Sequence, residues 1–247
     1  MRFPLLSTFL LSIGLLPAAA QQGYHAPRNF HDGRSRTYRR PPLRLSLSVN
    51  TAYYTGDLTN RWGDNDHELG AGLGVVRVLS PRVSLAFDVS YFHLGAKDFF
   101  PTRGFAFTSD NYLATALVRY NLLADRSLYV GLNHRATPLL VFAEAGLGAL
   151  TYNPLTQQRG SALPPEPGNS YPALAGGLPV GGGLTLRPSA GFGITFEALY
   201  FFSSTDLLDG VSQRGNPARN DDFATGSVKL EFSLGGKRKG KPLVHGD

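Results

Sequence analysis

The chain has 247 residues, of which 42% are hydrophobic and 29 are glycine, and it contains no cysteine. Without disulfides it must be stabilised by a buried core of its own or by contact with lipid. Its composition is typical of a β-barrel and excludes a disordered chain. The formal charge of +6 lies in two flanking segments, residues 21–42 and 235–247, and leaves residues 43–234 slightly acidic. Because nucleic-acid binding needs basic residues on a folded face, this distribution argues against a nucleic-acid partner.

Residues 1–20 have the pattern of a secretory signal peptide. Arg2 supplies a positive charge, residues 3–16 are apolar, and residues 18–20 provide an A-x-A cleavage site. The apolar run is short for a membrane-spanning helix, so we expect cleavage after Ala20 rather than an anchor. The rest of the chain has no apolar run near 18 residues. Export therefore leaves a periplasmic, secreted or outer-membrane barrel protein as the alternatives.

Residues 21–42 are rich in Arg, Gly and Pro and show no hydrophobic period, which predicts a flexible basic leader. Eight segments then alternate apolar and polar residues with the period of a β-strand. In the clearest one, residues 192–202, Phe192, Phe196 and Phe202 share an apolar face and Glu197 lies on the other. About eleven residues is the length of a tilted strand that crosses a bilayer. The predicted strands are residues 43–54, 70–79, 83–94, 111–122, 139–151, 178–186, 192–202 and 223–234, with the phase of 70–79 left open.

The connections alternate in length. Four are long, residues 55–68, 95–110, 152–172 and 203–222, whereas residues 80–82 and 187–190 are tight turns and only residues 124–137 break the alternation. Long extracellular loops and short periplasmic turns are expected of outer-membrane barrels. We therefore predict an all-β fold, an eight-stranded antiparallel transmembrane β-barrel with up-and-down meander topology, over residues 43–234 in the outer membrane. Both basic tails, residues 21–42 and 235–247, then lie on the periplasmic side.

Aromatic residues near both ends of the predicted strands are expected to form the two girdles that anchor a barrel at the membrane interfaces. The set near the long connections is Tyr53, Tyr91, Tyr112, Tyr200, Phe202 and Phe223, and the set near the short turns is Tyr120, Phe192 and Phe232.

Charged residues occur on the predicted inward faces. Asp88, Glu144 and Glu197 each lie equally far into alternate strands, so we expect them at a common depth in the lumen. Side chains just fill an eight-stranded barrel, and a buried charge there needs a partner. We predict two ion-pair clusters, one of Asp88, Arg119 and Glu144 and one of Glu197, Lys229 and Glu231, with Arg77 as a further candidate. The clusters are either a structural plug or pairs that rearrange in a narrow, gated conduit.

Signals for an enzyme are weak. The sequence has no Gly-x-Ser-x-Gly elbow and no His pair with metal-ligand spacing, and the glycine run 181–183 is not followed by Lys-Ser/Thr. His93 is predicted to face lipid near a strand end. We expect no catalytic chemistry, no metal and no cofactor. Some outer-membrane barrels are hydrolases or acyltransferases, so a membrane-embedded hydrolase stays open as the third alternative.

With these strands and loops, the chain resembles the small eight-stranded barrels of the OmpA/OmpX type. Residues 53–58, Tyr-Tyr-Thr-Gly-Asp-Leu, resemble the Tyr-Tyr/Phe-x-Gly-Asp-Leu motif of a Bacteroidota outer-membrane barrel family, one member of which is associated with the type IX secretion system. The resemblance implies that Gly56 permits a turn and that Asp57 caps it, so that the motif, Tyr53, Tyr54, Gly56, Asp57 and Leu58, has a structural role. The chain departs from the usual barrel ending, because a basic tail follows Phe232.

These observations predict a monomeric outer-membrane barrel with a structural or binding role. Its partners are outer-membrane lipid and a protein that contacts the extracellular loops or the periplasmic tails. The basic tail, residues 235–247, either contacts anionic headgroups or a periplasmic partner, or is a solvated end. The second functional alternative is a transport conduit or an outer-membrane component of a secretion machine.

Overall fold

The computed structural model describes residues 28–56, 58–59, 61–100, 102–130, 137–189, 191–211 and 220–234. The predicted signal peptide, the C-terminal basic tail and Asp57 lie outside the described residues. Within these ranges, no helix is long and apolar enough to cross a membrane.

The described residues form twelve strands and two short 3₁₀ helices, Trp62–Asp64 and Arg126–Leu128. The strands are β1 (Phe30–His31), β2 (Thr37–Tyr38), β3 (Arg44–Thr55), β4 (Gly70–Val78), β5 (Val83–Lys97), β6 (Phe105–Asn121), β7 (Leu139–Tyr152), β8 (Pro154–Gln158), β9 (Ser161–Ala162), β10 (Ala173–Ser189), β11 (Phe192–Ser203) and β12 (Asp222–Ser233).

Eight of these strands close into a ring. In the order β3, β4, β5, β6, β7, β10, β11 and β12, each strand pairs antiparallel with the next, and β12 pairs with β3. Closure satisfies the edge hydrogen bonds that an open sheet would expose to lipid. The predicted eight-stranded antiparallel meander is therefore confirmed.

The barrel is apolar on its outer surface and largely polar at mid-depth inside. On β3, Leu47 is 45% exposed and Val49 is 52% exposed, whereas the inward Ser46 is 1% exposed. β6 alternates in the same way along its whole length. A soluble barrel would bury these large apolar side chains, whereas a membrane barrel presents them to lipid. The strands therefore span a bilayer.

The structure determines the phase of β4, which the sequence pattern left open. Gly72 and Gly74 face the lumen, and Leu73 and Arg77 face outward. A Cβ atom on Gly74 would overlap the carboxylate of Asp88, so glycine is required by close approach. Arg77 consequently does not join the lumen charges.

The long-loop end contains more sheet than the alternation of the sequence predicted. β5 and β6 continue pairing as far as Lys97 and Ala106, and β8 adds to β6 beyond the end of β7. The sequence pattern predicts loops over residues 95–110 and 152–172, and this pairing corrects that expectation. The strands in these two ranges continue the barrel wall beyond its apolar outer surface, so the long-loop end is folded.

The described part of the N-terminal leader is structured. We expected residues 21–42 to be flexible, but residues 28–42 contain the antiparallel hairpin of β1 and β2. The Thr37 carbonyl oxygen of β2 accepts a hydrogen bond from the Val130 N–H, and the Arg39 N–H just after β2 donates to the Leu128 carbonyl oxygen, both at 2.9 Å. Tyr38 is buried, and its hydroxyl donates to the Leu79 carbonyl oxygen at 3.2 Å. Residues 128–130, in the connection that breaks the alternation of loop lengths, thus provide the platform on which the hairpin docks.

Asp125 anchors that connection to the barrel. Its carboxylate pairs with Arg187 of β10 and accepts hydrogen bonds from the Ser127 backbone N–H and hydroxyl, at 3.1 and 2.6 Å. Burial raises the pKa of Asp125, but attraction to Arg187 and the Ser127 hydrogen bonds outweigh burial and hold this pKa below its ordinary value. The ionised carboxylate therefore stabilises the docking platform.

Candidate functional site

The lumen contains an ion-pair network centred on Arg119 of β6. The Arg119 guanidinium donates to carboxylate oxygens of Glu144 at 3.0 Å, Glu197 at 2.8 Å and Glu231 at 3.3 Å. It also lies over the Phe142 ring, 3.9 Å from the ring centroid. All four charged side chains are at least nine-tenths buried. Arg119 therefore joins carboxylates from three other strands across the lumen.

Lys229 and Arg44 complete the network. The Lys229 ammonium lies 3.0 Å from Asp88 and 2.7 Å from Glu197, and Arg44 lies 3.4 Å from Glu231. All six residues predicted for the lumen are thus brought together, but in one network rather than in two clusters. Arg44 was missed, although the alternation of its strand indicates an inward side chain.

Register explains which pairs the sequence could anticipate. Arg119 and Glu144 are direct cross-strand partners of β6 and β7, as the predicted grouping requires. Arg119 reaches Glu197 and Glu231 across the lumen, and such contacts depend on strand tilt and side-chain length rather than on neighbouring strands. The network has four carboxylates and three cations, and Glu144 Oε1 is buried without a hydrogen-bond partner among the described residues.

An aromatic cluster fills the lumen on the long-loop side of this network. Its rings pack at centroid distances of 4.8 Å for Phe201 and Phe223 and 5.3 Å for Phe92 and Phe223. Its fully buried aromatic members are Tyr54, Phe92, Phe107, Phe201 and Phe223. Phe223 therefore points inward and is not a girdle residue; its position near a strand end suggested the girdle, but its phase places it in the lumen.

Glycines and loop residues complete this aromatic cluster. The Phe201 ring lies against Gly148 and Gly177, where a Cβ atom would overlap it. Leu58 and Leu208 enter the cluster from two different long connections and are almost completely buried. These two loops are consequently packed into the long-loop end of the barrel.

The Tyr-Tyr-Thr-Gly-Asp-Leu motif is the point where the first loop joins this cluster. Tyr53 faces outward and stacks on Trp62 at 5.3 Å, whereas Tyr54 faces inward. The Tyr54 hydroxyl lies 2.7 Å from carboxylate oxygens of both Asp209 and Asp221. A Cβ atom on Gly56 would overlap the Tyr54 phenol and the Asp221 carboxylate. Glycine at this position therefore allows two loops to meet.

The described residues do not assemble a hydrolase site around His93. His93 Nδ1 lies 3.3 Å from Asp110 Oδ1, which also accepts a hydrogen bond of 2.7 Å from the Tyr91 hydroxyl. In the described part of the chain, no serine or threonine hydroxyl is hydrogen-bonded to His93, and no group of three His, Cys, Asp or Glu side chains could hold a metal ion.

No family model matches the chain, and no curated protein matches it. Solved structures with a similar fold include Neisserial surface protein A (12% identity, 78% of this chain, 97% of that chain, TM-score 0.44) and Ail, the attachment invasion locus protein of Yersinia pestis (11%, 78%, 97%, 0.45). The outer membrane enzyme PagL also matches, at 13% identity over 76% of this chain and 99% of that chain, with a TM-score of 0.38.

The closed ring of eight strands and its apolar exterior define the class: this protein is a transmembrane β-barrel of the bacterial outer membrane. Its fold, a closed antiparallel meander of eight strands, is similar to that of the small outer-membrane barrels named above.

Proposed function

We propose that this protein is a closed outer-membrane barrel with a structural or binding role, whose long-loop face is its contact surface. The observation that carries the proposal is the filling of the lumen. The Arg119 network occupies its middle, and the aromatic cluster occupies its long-loop side. A solute would have to displace both. The buried ion pairs and rings act as a plug that fixes the strands in register.

The long-loop face is suited to binding because its loops are ordered by the barrel. Arg61 lies over the Phe99 ring at 3.7 Å, and Trp62 stacks on His67 at 4.3 Å. Loops that are already folded lose less conformational entropy when they bind a partner. In the first long loop, Asp64, Asp66 and Glu68 are exposed or half-exposed, and Arg61 is the one described Lys or Arg residue beside them. We therefore propose a partner with a basic contact surface, reached through the extracellular loops.

Affinity capture from native membranes tests the binding role. A tagged wild-type protein and a variant with the long-loop acids Asp64, Asp66 and Glu68 changed to amides are compared. Wild type should retain a partner that the variant loses, while both keep the heat-modifiable gel migration of a folded barrel. Recovery of secretion-machine subunits would support the type IX alternative. Recovery of the same partner in equal amount by wild type and by the variant would contradict a binding role for this loop.

A narrow conduit is the second candidate, and one observation favours it. The lumen network has four carboxylates and three cations, so a carboxylate can exchange one cation partner for another. Solute-driven swelling of proteoliposomes distinguishes the two. A closed barrel gives no swelling above empty liposomes with wild type, and a conduit gives swelling that Glu144→Gln changes.

A further inference from the structure

Charge is distributed very unevenly between the two ends of the barrel. Within the described part of the chain, nine arginines and two aspartates lie at or near the short-turn end. The arginines are Arg28, Arg34, Arg36, Arg39, Arg40, Arg77, Arg82, Arg126 and Arg187, and the acids are Asp32 and Asp125. The acids already pair with Arg36 and Arg187. A strongly basic surface therefore remains at this end.

Three of these arginines belong to the turn at residues 79–82 or lie beside it in sequence or by contact. Arg40 Nε donates to the Leu79 carbonyl oxygen at 2.7 Å, and Arg82 lies in the turn itself. Arg77 is two residues before Leu79, on the outward face of β4 opposite Leu85. All three are exposed, and none forms an ion pair with a described residue.

The N-terminal hairpin is what brings Arg40 to this turn. The Arg40 guanidinium lies over the Phe30 ring at 4.0 Å, and Phe30 stacks on Tyr38 at 5.7 Å. The Tyr38 hydroxyl also donates to the carbonyl oxygen of Leu79. Hairpin docking therefore adds a third positive charge to an edge of the barrel that already has Arg77 on β4 and Arg82 in the turn.

The setting of the three arginines is the membrane interface. Arg82 Nη1 donates to the Tyr120 hydroxyl and to the Leu122 carbonyl oxygen, both at 3.1 Å. Tyr120 faces outward, and the adjoining Leu122 and Leu123 are 52% and 68% exposed. Aromatic rings with exposed leucines mark the edge of the hydrocarbon region, and an arginine there extends its charged group toward the headgroups.

We propose that Arg40, Arg77 and Arg82 form a binding site for the phosphate of an anionic phospholipid in the leaflet at the short-turn end. Guanidinium groups bind phosphate with paired N–H donors, and Arg82 is held in place by Tyr120. A phospholipid fits better than a soluble polyanion because Arg77 lies on the lipid-facing wall and Arg82 in the adjoining turn, with exposed apolar side chains nearby for the acyl chains.

Native mass spectrometry of lipids retained by the protein tests the site. Wild type and a variant with R40Q, R77Q and R82Q are reconstituted in nanodiscs of equal phosphatidylglycerol and phosphatidylcholine. Each basic residue near an anionic surface strengthens binding roughly fivefold. Wild type should retain phosphatidylglycerol in excess of its share, and the variant should retain the two lipids nearly equally.

The control variant carries R61Q, K97Q and R159Q, which remove the same charge from the long-loop end. It should keep the wild-type preference, and heat-modifiable migration should show that all three proteins are folded. Equal retention of both lipids by wild type, or an unchanged preference in the R40Q, R77Q, R82Q variant, would overturn the proposal. So would wild type that binds soluble heparin in neutral nanodiscs but shows no preference for phosphatidylglycerol.

Discussion

Replacing Arg119 by methionine tests the energetic centre of the lumen. The change keeps a long, flexible side chain but removes hydrogen bonds to Glu144, Glu197 and Glu231. Four buried carboxylates would then face only Lys229 and Arg44. Breaking a buried ion pair by removing one partner costs about 3–5 kcal/mol, because the other charge is left uncompensated. Loss of the cation–π contact with Phe142 adds roughly 1 kcal/mol.

The expected result is a free energy of unfolding about 4–6 kcal/mol lower than that of wild type, measured by denaturant titration in lipid vesicles. Arg126→Met is the matched control, since Arg126 is exposed at the short-turn end and its loss should change stability by less than about 0.5 kcal/mol.

Adding Glu144→Gln to Arg119→Met should recover part of the loss, because it removes one uncompensated carboxylate. The coupling energy of the double-mutant cycle should be about 0.5–3 kcal/mol, as for residues in direct contact. An Arg119→Met protein within about 1 kcal/mol of wild type would refute the view that this network stabilises the barrel.

Three further changes address other parts of the molecule. Phe201→Ala should lower the free energy of unfolding by about 3–5 kcal/mol in the same titration, because it empties the aromatic cluster. Gly56→Ala should expose the first long loop to protease without unfolding the barrel, because its Cβ atom would overlap the Tyr54 phenol. The low pKa of Asp125, set by Arg187 against the effect of burial, means that its stabilisation is present above about pH 4 and is lost as pH falls further. Amide exchange in residues 126–130, corrected for intrinsic rates, should rise on acidification, and Asp125→Asn should remove this pH dependence.

Each of these has a clear contrary outcome. Unchanged stability of Phe201→Ala would mean that the lumen on the long-loop side is not packed. If the first long loop of Gly56→Ala resisted protease as well as it does in wild type, glycine would not be required by the close approach of Tyr54. If amide exchange in Asp125→Asn depended on pH as it does in wild type, a group other than Asp125 would cause that dependence.

The barrel itself could be predicted from the sequence because each membrane strand carries a simple signal. Period-two alternation identifies the strands, and it places Arg119, Glu144 and Lys229 on inward faces. The direct neighbours Arg119 and Glu144 follow from strand order alone. These features are local or involve adjacent strands, so a linear pattern contains them.

The remaining features depend on geometry that no linear pattern contains. Contacts such as that of Arg119 with Glu231 cross the lumen and depend on tilt and shear. The hairpin of β1 and β2 has two residues in each strand, too few to show a period, and forms on the surface provided by residues 128–130. The position of Phe223 near a strand end suggests a girdle residue, but its face of β12 places the ring in the lumen.

Single-channel recording in planar bilayers tests the closed lumen most directly. Wild-type protein should show no steady unitary conductance, because the Arg119 network and the aromatic cluster together fill the barrel. An Arg119→Ala, Phe201→Ala variant that still folds should show conductance, which proves that the assay detects an opened barrel. Steady unitary conductance from the wild-type protein would contradict the account and favour a conduit.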